Sequence, residues 1–586
     1  MRSQRTEAGQ YGIDAQLSSE NPVSYKWYAD AMKTWGQVLD ESAERFADET
    51  LFVCNESRVT YSQFSRMVDD FAKGLLRLDV GKGDVVGIWM SNRIEWAVCQ
   101  FAIYKIGALL LPLYSYYRKT ELSYALNQAN VSVLIMADSF IGKIDALSIA
   151  CETIPELRSY SERAFRSDSF PALRTVIVLD EREKLSSRYN YEEVARSGNE
   201  EGSDVALLRR QATISPFDVM NIMYTSGTTG FPKGGMSMHV TNMVTTGQWS
   251  ELAQLTKDDV ILCHVPMFTN FGGLYAVPLG IKNGCTVIIT EQFDAGESLR
   301  LIEKESVTYI PGTPSMFRML LDHADLPKRN LSSVRGGHVA GAPLTETTMH
   351  EILEVLGARD IMQAWGLSEC GGLSTVSTKA HTTTQRLKSV GKPLDSVKLR
   401  IVDSLLEDVA PGEQGEIILG DVYPGSCIGK GYFGMLEKTA TVIIDDMWFR
   451  TGDTGYRDKD GFLYITGRID DMFTLGGFNV YPAEIEGALE KIDGVSEAFV
   501  VPLADNRLGN VPVAWISLAA NVELSAGSIV DYCRKFITSQ KVPRRIFFYK
   551  PGELPMTPAG KVKKKDLAAQ TAALVATDPS VGIVNP

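Results

Sequence analysis

The hydrophobic positions of this chain fall into two rhythms. Over the first two-thirds, short unbroken apolar runs alternate with longer stretches whose apolar residues recur at helical spacing. Trp35 to Phe46 predicts an amphipathic helix. Val59-Thr60-Tyr61-Ser62-Gln63 predicts a strand that gives way, at a helix cap, to a helix from Tyr61 to about Leu76. Val85 to Met90 reads as a buried strand, Ile94 to Ile106 as a helix, and Leu109 to Leu113 as the next strand. A charged, polar stretch from about Arg182 to Asp204 reads as a loop. The alternation resumes with strands from Val219 to Tyr224, Val260 to Leu262, Val287 to Ile289 and Val307 to Ile310. Strands alternating with helices imply parallel sheets covered by helices on both faces.

The rhythm changes near Asp395. Short strands from Lys398 to Val402 and from Gly415 to Leu419, separated by Gly and Pro, predict a small β-barrel-like unit. Asp460-Gly461 between Tyr456 and Tyr464 suits a hairpin turn. The surrounding Asp458-Lys459-Asp460-Gly461 lacks the other ligand positions of a calcium loop. From Asp470 a third pattern begins. A helix carries Ile485, Leu489 and Ile492, strands follow from Ala498 to Val501 and Val513 to Ile516, and a second helix carries Ile529, Cys533, Phe536 and Ile537. The expected fold class is therefore α/β and multidomain. It has a large N-terminal domain of two helix-flanked sheets plus the β-barrel-like subdomain, and a small mobile α+β C-terminal domain. The expected division is a polar segment 1–25, a large domain 26–469, a small domain 470–568 and a tail 569–586 without an obvious element.

Composition narrows the function. A chain of 586 residues is too long for one hydrophobic core. A net charge of −13 argues against a general nucleic-acid binder, which would carry a basic footprint. The eight cysteines are scattered with no CxxC pair, which suggests reduced, mostly buried thiols and a cytoplasmic location. The opening Met-Arg-Ser-Gln-Arg-Thr-Glu lacks the apolar core of a signal peptide. The most apolar window, Trp96 to Tyr114, is broken by Gln100, Lys105 and Pro112, so no transmembrane segment is expected.

The densest chemistry follows the Val219 to Tyr224 strand, in Tyr224-Thr225-Ser226-Gly227-Thr228-Thr229-Gly230-Phe231-Pro232-Lys233-Gly234-Gly235, with a helix expected from about Met238. Glycines let the backbone approach closely, amides and hydroxyls point inward, and the lysine supplies positive charge, so the loop suits a polyphosphate. It is not a P-loop, because no Gly-Lys-Ser/Thr closes it. A polar surface loop is the alternative. In Trp365-Gly366-Leu367-Ser368-Glu369, preceded by Gln363, an acid beside a hydroxyl follows a glycine turn. Such a pair can hold Mg²⁺ near phosphates, since hard cations prefer oxygen, or can be a solvated turn. The Asp453 carboxylate of Thr451-Gly452-Asp453 can accept both hydroxyls of a ribose, and Gly467-Arg468 adds a guanidinium. Lys561, inside Leu554-Pro555-Met556-Thr557-Pro558-Ala559-Gly560-Lys561-Val562, begins a basic run with Lys563, Lys564 and Lys565.

Together these segments resemble the adenylate-forming superfamily of acyl- and aryl-CoA synthetases, luciferases and peptide-synthetase adenylation domains. The 224–235 loop resembles the superfamily's signature loop nearly letter for letter, and the likeness runs from roughly Trp35 to Leu567 with the motifs in the expected order. The resemblance implies ATP, Mg²⁺ and coenzyme A. It implies that Thr225, Ser226, Gly227, Thr228, Thr229, Gly230 and Lys233 hold the phosphates, and that Gly341-Ala342-Pro343 lies along the adenine. Trp365, where relatives usually have Tyr, would stack on the adenine or acyl group. Ser368 would meet the α-phosphate and Glu369 the Mg²⁺, while Asp453 and Arg468 would take the ribose. Asp470 is similar to the interdomain hinge, and the loop with Gly476 and Gly477 to the wall of the thiol channel. Lys561 resembles the catalytic lysine, whose ammonium bridges the substrate carboxylate and the α-phosphate.

By the same analogy the acid pocket draws on 266–273, 310–317, 337–343 and 363–373, with Phe268, Thr269, Asn270, Gly273, His338 and Gly366 among its residues. These segments are rich in Phe, Met, Gly and Ala, with no fixed charge to meet an amino group. A fatty, alicyclic or aromatic acid is therefore expected over an amino acid. Thr269 stands where many acyl-CoA synthetases have His, and Asn270 beside it could hydrogen-bond a polar substrate group. The expected partners are a small carboxylic acid and coenzyme A. Three alternatives stay open: an acyl carrier protein as acceptor, which the basic run would suit, a luciferase-like oxidation, and a non-catalytic nucleotide-binding protein. The intact set of Lys561, Glu369, Asp453 and Arg468 speaks against the last.

Overall fold

The computed structural model describes residues 27–584 except 143, 160–165, 180–187, 200–201, 226–231, 342–343, 345, 476–477, 481, 506–507, 520–521, 538–540, 551 and 557–560. Two large sheets carry the first part of the chain. The seven-stranded sheet runs in the order Tyr189–Asn190, Thr175–Leu179, Val133–Ala137, Val85–Trp89, Leu109–Pro112, Val219–Thr225, Lys233–Met238. Its pairs are parallel except the last, which is an antiparallel hairpin. The nine-stranded sheet runs Lys392–Pro393, Thr375–Ser377, Asp360–Trp365, Gly336–Val339, Tyr309–Gly312, Val260–Cys263, Thr286–Ile289, Thr50–Cys54, Ser57–Thr60. Its central strands are parallel and its margins antiparallel.

The covering helices follow from the pattern. In Ile94–Ile106 every residue but Glu95 is buried, which explains a helix with no polar face. Its Lys105 survives there because Asp40 and Asp69 both pair with its ammonium. Thr34 and Thr60 open the helices Trp35–Arg45 and Tyr61–Arg77 through capping boxes with Gln37 and Gln63. The parallel strands share one direction, so their carboxyl ends deliver 264–270, 313, 340–341 and 366–369 to one edge of the nine-stranded sheet, where open α/β sheets place their ligands.

A five-stranded sheet follows, in the order Val397–Val402, Gly415–Asp421, Trp448–Arg457, Ile443–Ile444, with Leu463–Arg468 antiparallel to Trp448–Arg457. The Asp460-Gly461 turn stands as expected: Tyr456 faces Tyr464, and Asp458 Oδ1 accepts from the N–H groups of Asp460 and Phe462. The last sheet orders Phe478–Val480, Phe473–Leu475, Gly509–Leu518 and Val495–Asp505, with Arg545–Phe548 parallel to Gly509–Leu518. The chain forms two compact units, one from 27–225, 233–399 and 419–449, the other from 400–418 and 450–584.

Three stretches differ from the sequence reading. Lys233–Met238 is a strand, so the signature loop joins the two arms of a hairpin and does not run straight into the helix His239–Leu252. The stretch read as a loop, about Arg182 to Asp204, holds the helix Tyr191–Ser197, and the helix Ser203–Gln211 begins at its end. Each is anchored by few apolar residues, Tyr191 stacking on Phe71 and Leu207 lying buried, and the surrounding charge masks the period. The helix Lys564–Thr577 runs from the expected small domain into the tail 569–586, which was expected to hold no element. Only Leu567 and Thr571 of it are buried, too few to write an apolar stripe, and Trp515 Nε1–H donates to Thr571 at 3.0 Å.

Candidate active site

In the first unit the candidate residues gather around a turn. The strand Asp360–Trp365 ends where the N–H groups of Cys370 and Gly372 both donate to the Leu367 carbonyl, folding Ser368–Cys370 into one tight turn. Glu369 is buried within it, and its carboxylate accepts the Tyr432 hydroxyl at 3.1 Å. A Cβ on Gly235 would stand 3.2 Å from Glu369 Cγ, so the hairpin strand backs the acid directly. The Lys233 ammonium lies 5.3 Å from the centre of the Tyr432 ring. Residues 429–433 hold Tyr432 there by pairing with the hairpin: Met236 N–H donates to Gly431 O, Lys430 N–H to Met236 O and Phe433 N–H to Gly234 O. Gly429 is required by this approach, because a Cβ would sit 2.1 Å from Met236 O.

Tyr432 was not singled out in the sequence. Its glycine-flanked position in Gly429-Lys430-Gly431-Tyr432 is the one available signal, and its pairing with a strand some two hundred positions earlier leaves no local trace.

The acid-pocket residues sit on and around a π-helix, Asn270–Ala276, a rare form that concentrates at functional sites. Asn270 Nδ2–H donates to Ser368 Oγ at 2.9 Å, which joins the pocket segment to the Glu369 turn. The Thr269 hydroxyl donates to Pro266 O at 2.7 Å. Phe268 is buried against Tyr114. Gly273 is packed so closely that a Cβ would meet Met267 O at 2.4 Å, and at Gly366 one would meet Leu373 Cα at 2.6 Å. Trp365 is half-buried at the strand end. Phe271 stacks on His338 with ring centroids 5.3 Å apart, and a Cβ on Gly341 would touch Phe271. Burial pushes His338 down to about 3, so it is neutral. His264 is equally buried, but both its nitrogens are engaged, with Ser298 Oγ and Pro311 O.

In the second unit Asp453 and Arg468 are cross-strand partners, their charged groups 3.1 Å apart. Thr451 supports both: its hydroxyl accepts from Asp453 N–H, and its carbonyl accepts from Arg468. Lys561 lies in reach of this pair. Desolvation of its ammonium lowers its pKa, with Asp453 opposing the fall and Arg468 adding to it. The residue as a whole is nevertheless exposed. Lys564 is not part of an open basic run, since it pairs with Glu486 at 2.7 Å. Asp470 lies in the short turn Ile469–Asp471. Ser226, Gly227, Thr228, Thr229, Gly230, Ala342, Pro343, Gly476 and Gly477 lie outside the described residues.

Among the described residues no cluster of three or more His, Cys, Asp or Glu could hold a metal ion, and no helix is long and apolar enough to cross a membrane.

The profile of the AMP-binding enzyme family matches residues 39–433, and that of the AMP-binding enzyme C-terminal domain matches 484–561. The chain is 32% identical over 534 residues to 3-[(3aS,4S,7aS)-7a-methyl-1,5-dioxo-octahydro-1H-inden-4-yl]propanoyl:CoA ligase of Rhodococcus jostii (strain RHA1), covering 91% of this chain and 98% of that one. It is 32% identical over 549 residues to the mitochondrial medium-chain acyl-CoA ligase ACSF2 of Bos taurus, covering 92% of this chain and 87% of the relative. In fold it is similar to the anthranilate CoA ligase AuaEII, solved in complex with anthranoyl-AMP, at a TM-score of 0.79 and 24% identity over 94% of this chain and 99% of that one.

Proposed function

The chain belongs to the AMP-binding enzyme family, as an AMP-forming acid–CoA ligase, and from that premise we propose that it activates an apolar, alicyclic or medium-chain carboxylic acid with Mg·ATP and passes it to coenzyme A. The observation that carries the site assignment is the convergence of Asn270, Ser368, Glu369, Tyr432 and Lys233 in one compact unit.

In the first half-reaction a carboxylate oxygen bonds to the α-phosphorus of ATP and pyrophosphate leaves. A carboxylate is a poor nucleophile and both reactants are anions, so catalysis is mostly positioning and charge neutralisation. Lys233 and the 225–230 loop hold the β- and γ-phosphates, Ser368 the α-phosphate, and Asp453 and Arg468 the ribose. Gly341-Ala342-Pro343 and Trp365 border the adenine. Lys561 spans the substrate carboxylate and the α-phosphate. A buried carboxylate with one donor among the described residues fits a cation that takes its other ligands from phosphates and water, as Mg²⁺ does. Bound at Glu369, Mg²⁺ would neutralise charge on the phosphates. In the second half-reaction the thiol of coenzyme A attacks the acyl carbonyl and AMP leaves. Asp470 is the proposed hinge for that step, with 26–469 and 470–568 as the proposed domains and the Gly476-Gly477 loop as the thiol channel.

The relatives named as CoA ligases support coenzyme A over an acidic carrier protein as the acceptor. The eight cysteines form no disulfide, which supports a reducing compartment, and we propose the cytoplasm, with a mitochondrial location as the alternative.

The test is pyrophosphate release across medium-chain, alicyclic and aromatic acids, with and without coenzyme A. Acid-dependent turnover that requires coenzyme A is expected. Release that ignores coenzyme A would identify a carrier protein as acceptor. Lys561→Ala should lower adenylation at least about 100-fold while largely sparing thioester formation from supplied acyl-adenylate. Equal loss of both half-reactions would sink the role of Lys561.

A further inference from the structure

Beneath the Phe271 ring, three buried side chains form a chain of hydrogen bonds. Trp249 Nε1–H donates to the Tyr309 hydroxyl at 2.7 Å, and that hydroxyl lies 3.3 Å from His338 Nδ1. Indole is a donor only, so Tyr309 accepts from Trp249 and has its own proton to place. Donated to Nδ1, that proton makes His338 the neutral tautomer with its own proton on Nε2. That Nε2–H is buried and has no partner among the described residues, although His338 is 2% exposed.

His338 is the third residue of the strand Gly336–Val339, close to its carboxyl end, where Phe271 covers the ring face and Gly341 follows in the chain. This is the end of the sheet at which the acid was placed. A donor in apolar surroundings is costly until an acceptor reaches it, and a site built this way discriminates against any ligand that lacks one.

We propose that the acid carries a hydrogen-bond acceptor on its carbon skeleton, a ketone, hydroxyl or ether oxygen, and that His338 Nε2–H binds it. Trp249 and Tyr309 are positioning residues that set the tautomer. The proposal rests on the assignment of 266–273 and 337–343 to the acid pocket, and it separates an oxygenated acid from a plain hydrocarbon acid of the same size.

The probes are 3-(3-oxocyclohexyl)propanoate, 3-(4-oxocyclohexyl)propanoate and 3-cyclohexylpropanoate, assayed by pyrophosphate release with coenzyme A. The wild-type chain should prefer at least one keto acid by about tenfold or more in kcat/KM. His338→Phe should erase that preference, read as the ratio of kcat/KM for keto acid over cyclohexyl acid within the same variant. Tyr309→Phe, which removes the proton that sets the tautomer, should reduce the same ratio severalfold. The carbonyl stretch of the bound ketone should shift to lower wavenumber in the wild type and not in His338→Phe. Equal kcat/KM for all three acids on the wild type, with turnover intact, would overturn the role of His338 and leave the ligase reading standing. Absence of acid-dependent release with any acid would overturn the ligase reading and this proposal with it.

Discussion

Tyr432 joins two parts of the candidate phosphate site, and its two contacts can be removed one at a time. Its hydroxyl donates to Glu369 at 3.1 Å, and its ring lies under the Lys233 ammonium at 5.3 Å. Tyr432→Phe deletes the first contact and keeps the second. A hydrogen bond to a charged group contributes roughly 1.5–3 kcal/mol, and Glu369 is only 6% exposed, so little solvent can replace the lost donor. If the bond orients the carboxylate for Mg·ATP, kcat/KM for ATP should fall about 10- to 150-fold, with more Mg²⁺ needed for half-maximal rate. Tyr432→Leu removes the ring as well. The Lys233 contact adds about 0.5–2 kcal/mol, so a further fall of about 2- to 30-fold is expected. Both variants are read by initial rates of pyrophosphate release across Mg²⁺ and ATP concentrations. A Tyr432→Phe enzyme within twofold of wild type at every Mg²⁺ concentration would refute the reasoning, because the hydroxyl would then be a bystander. Tighter Mg²⁺ dependence in that variant would refute it in the other direction, since the hydroxyl would be competing with the cation.

Gly429→Ala places a methyl 2.1 Å from Met236 O, so the backbone must move; a destabilisation of about 1–3 kcal/mol and a parallel loss of activity are expected, and full activity would show that 429–433 can be displaced without consequence. Burial and the neighbouring Glu486 push Glu490 up to about 7, above the ordinary glutamate value of 4.5. The folded unit therefore holds this proton more tightly than the unfolded chain. Its penalty is absent below about pH 4.5, grows as pH rises toward 7 and is complete above it, reaching at most about 3 kcal/mol. Glu490→Gln should raise hydrogen-exchange protection over Val495–Leu518 at pH 8 and leave it unchanged near pH 4.5; no difference at pH 8 would contradict the shift. Truncation after Ala568 removes the Thr571 partner of Trp515 and the Pro579 and Val581 carbonyls that accept from Arg545. The second unit should lose at least about 2 kcal/mol and expose Trp515 to a fluorescence quencher. An unchanged melting curve would mean that 569–586 is dispensable after all.

Much of the architecture was legible because burial writes its period into the chain. Val85–Trp89 is enclosed throughout, Ile94–Ile106 at every residue but Glu95 and Val219–Thr225 at all but its two ends, so apolar residues dominate each, and the Asp460-Gly461 turn announces itself in two letters. Lys564–Thr577 escaped notice for the opposite reason: it rests on the unit through Leu567 and Thr571, and two positions cannot mark a helical face. Lys233–Met238 was hidden by its Gly and Met content, which carries no strand propensity of its own and is ordered by pairing with Val219–Thr225.

The same division holds for the site. The resemblance of their motifs to the adenylate-forming superfamily singled out Glu369, Asp453, Arg468 and Lys561 without coordinates, whereas residue type and spacing alone left each of them open to reading as an ordinary surface charge. Only the tertiary structure decided that Tyr432 reaches Glu369, that Asn270 reaches Ser368 and that Lys564 is spent on Glu486. The tautomer of His338 also belongs to the fold, since it depends on a tryptophan and a tyrosine brought from 89 and 29 positions away. Local sequence encodes what a residue can do, whereas hydrogen-bond partners distant in the chain, fixed by sheet register and close packing, settle which of those things it does.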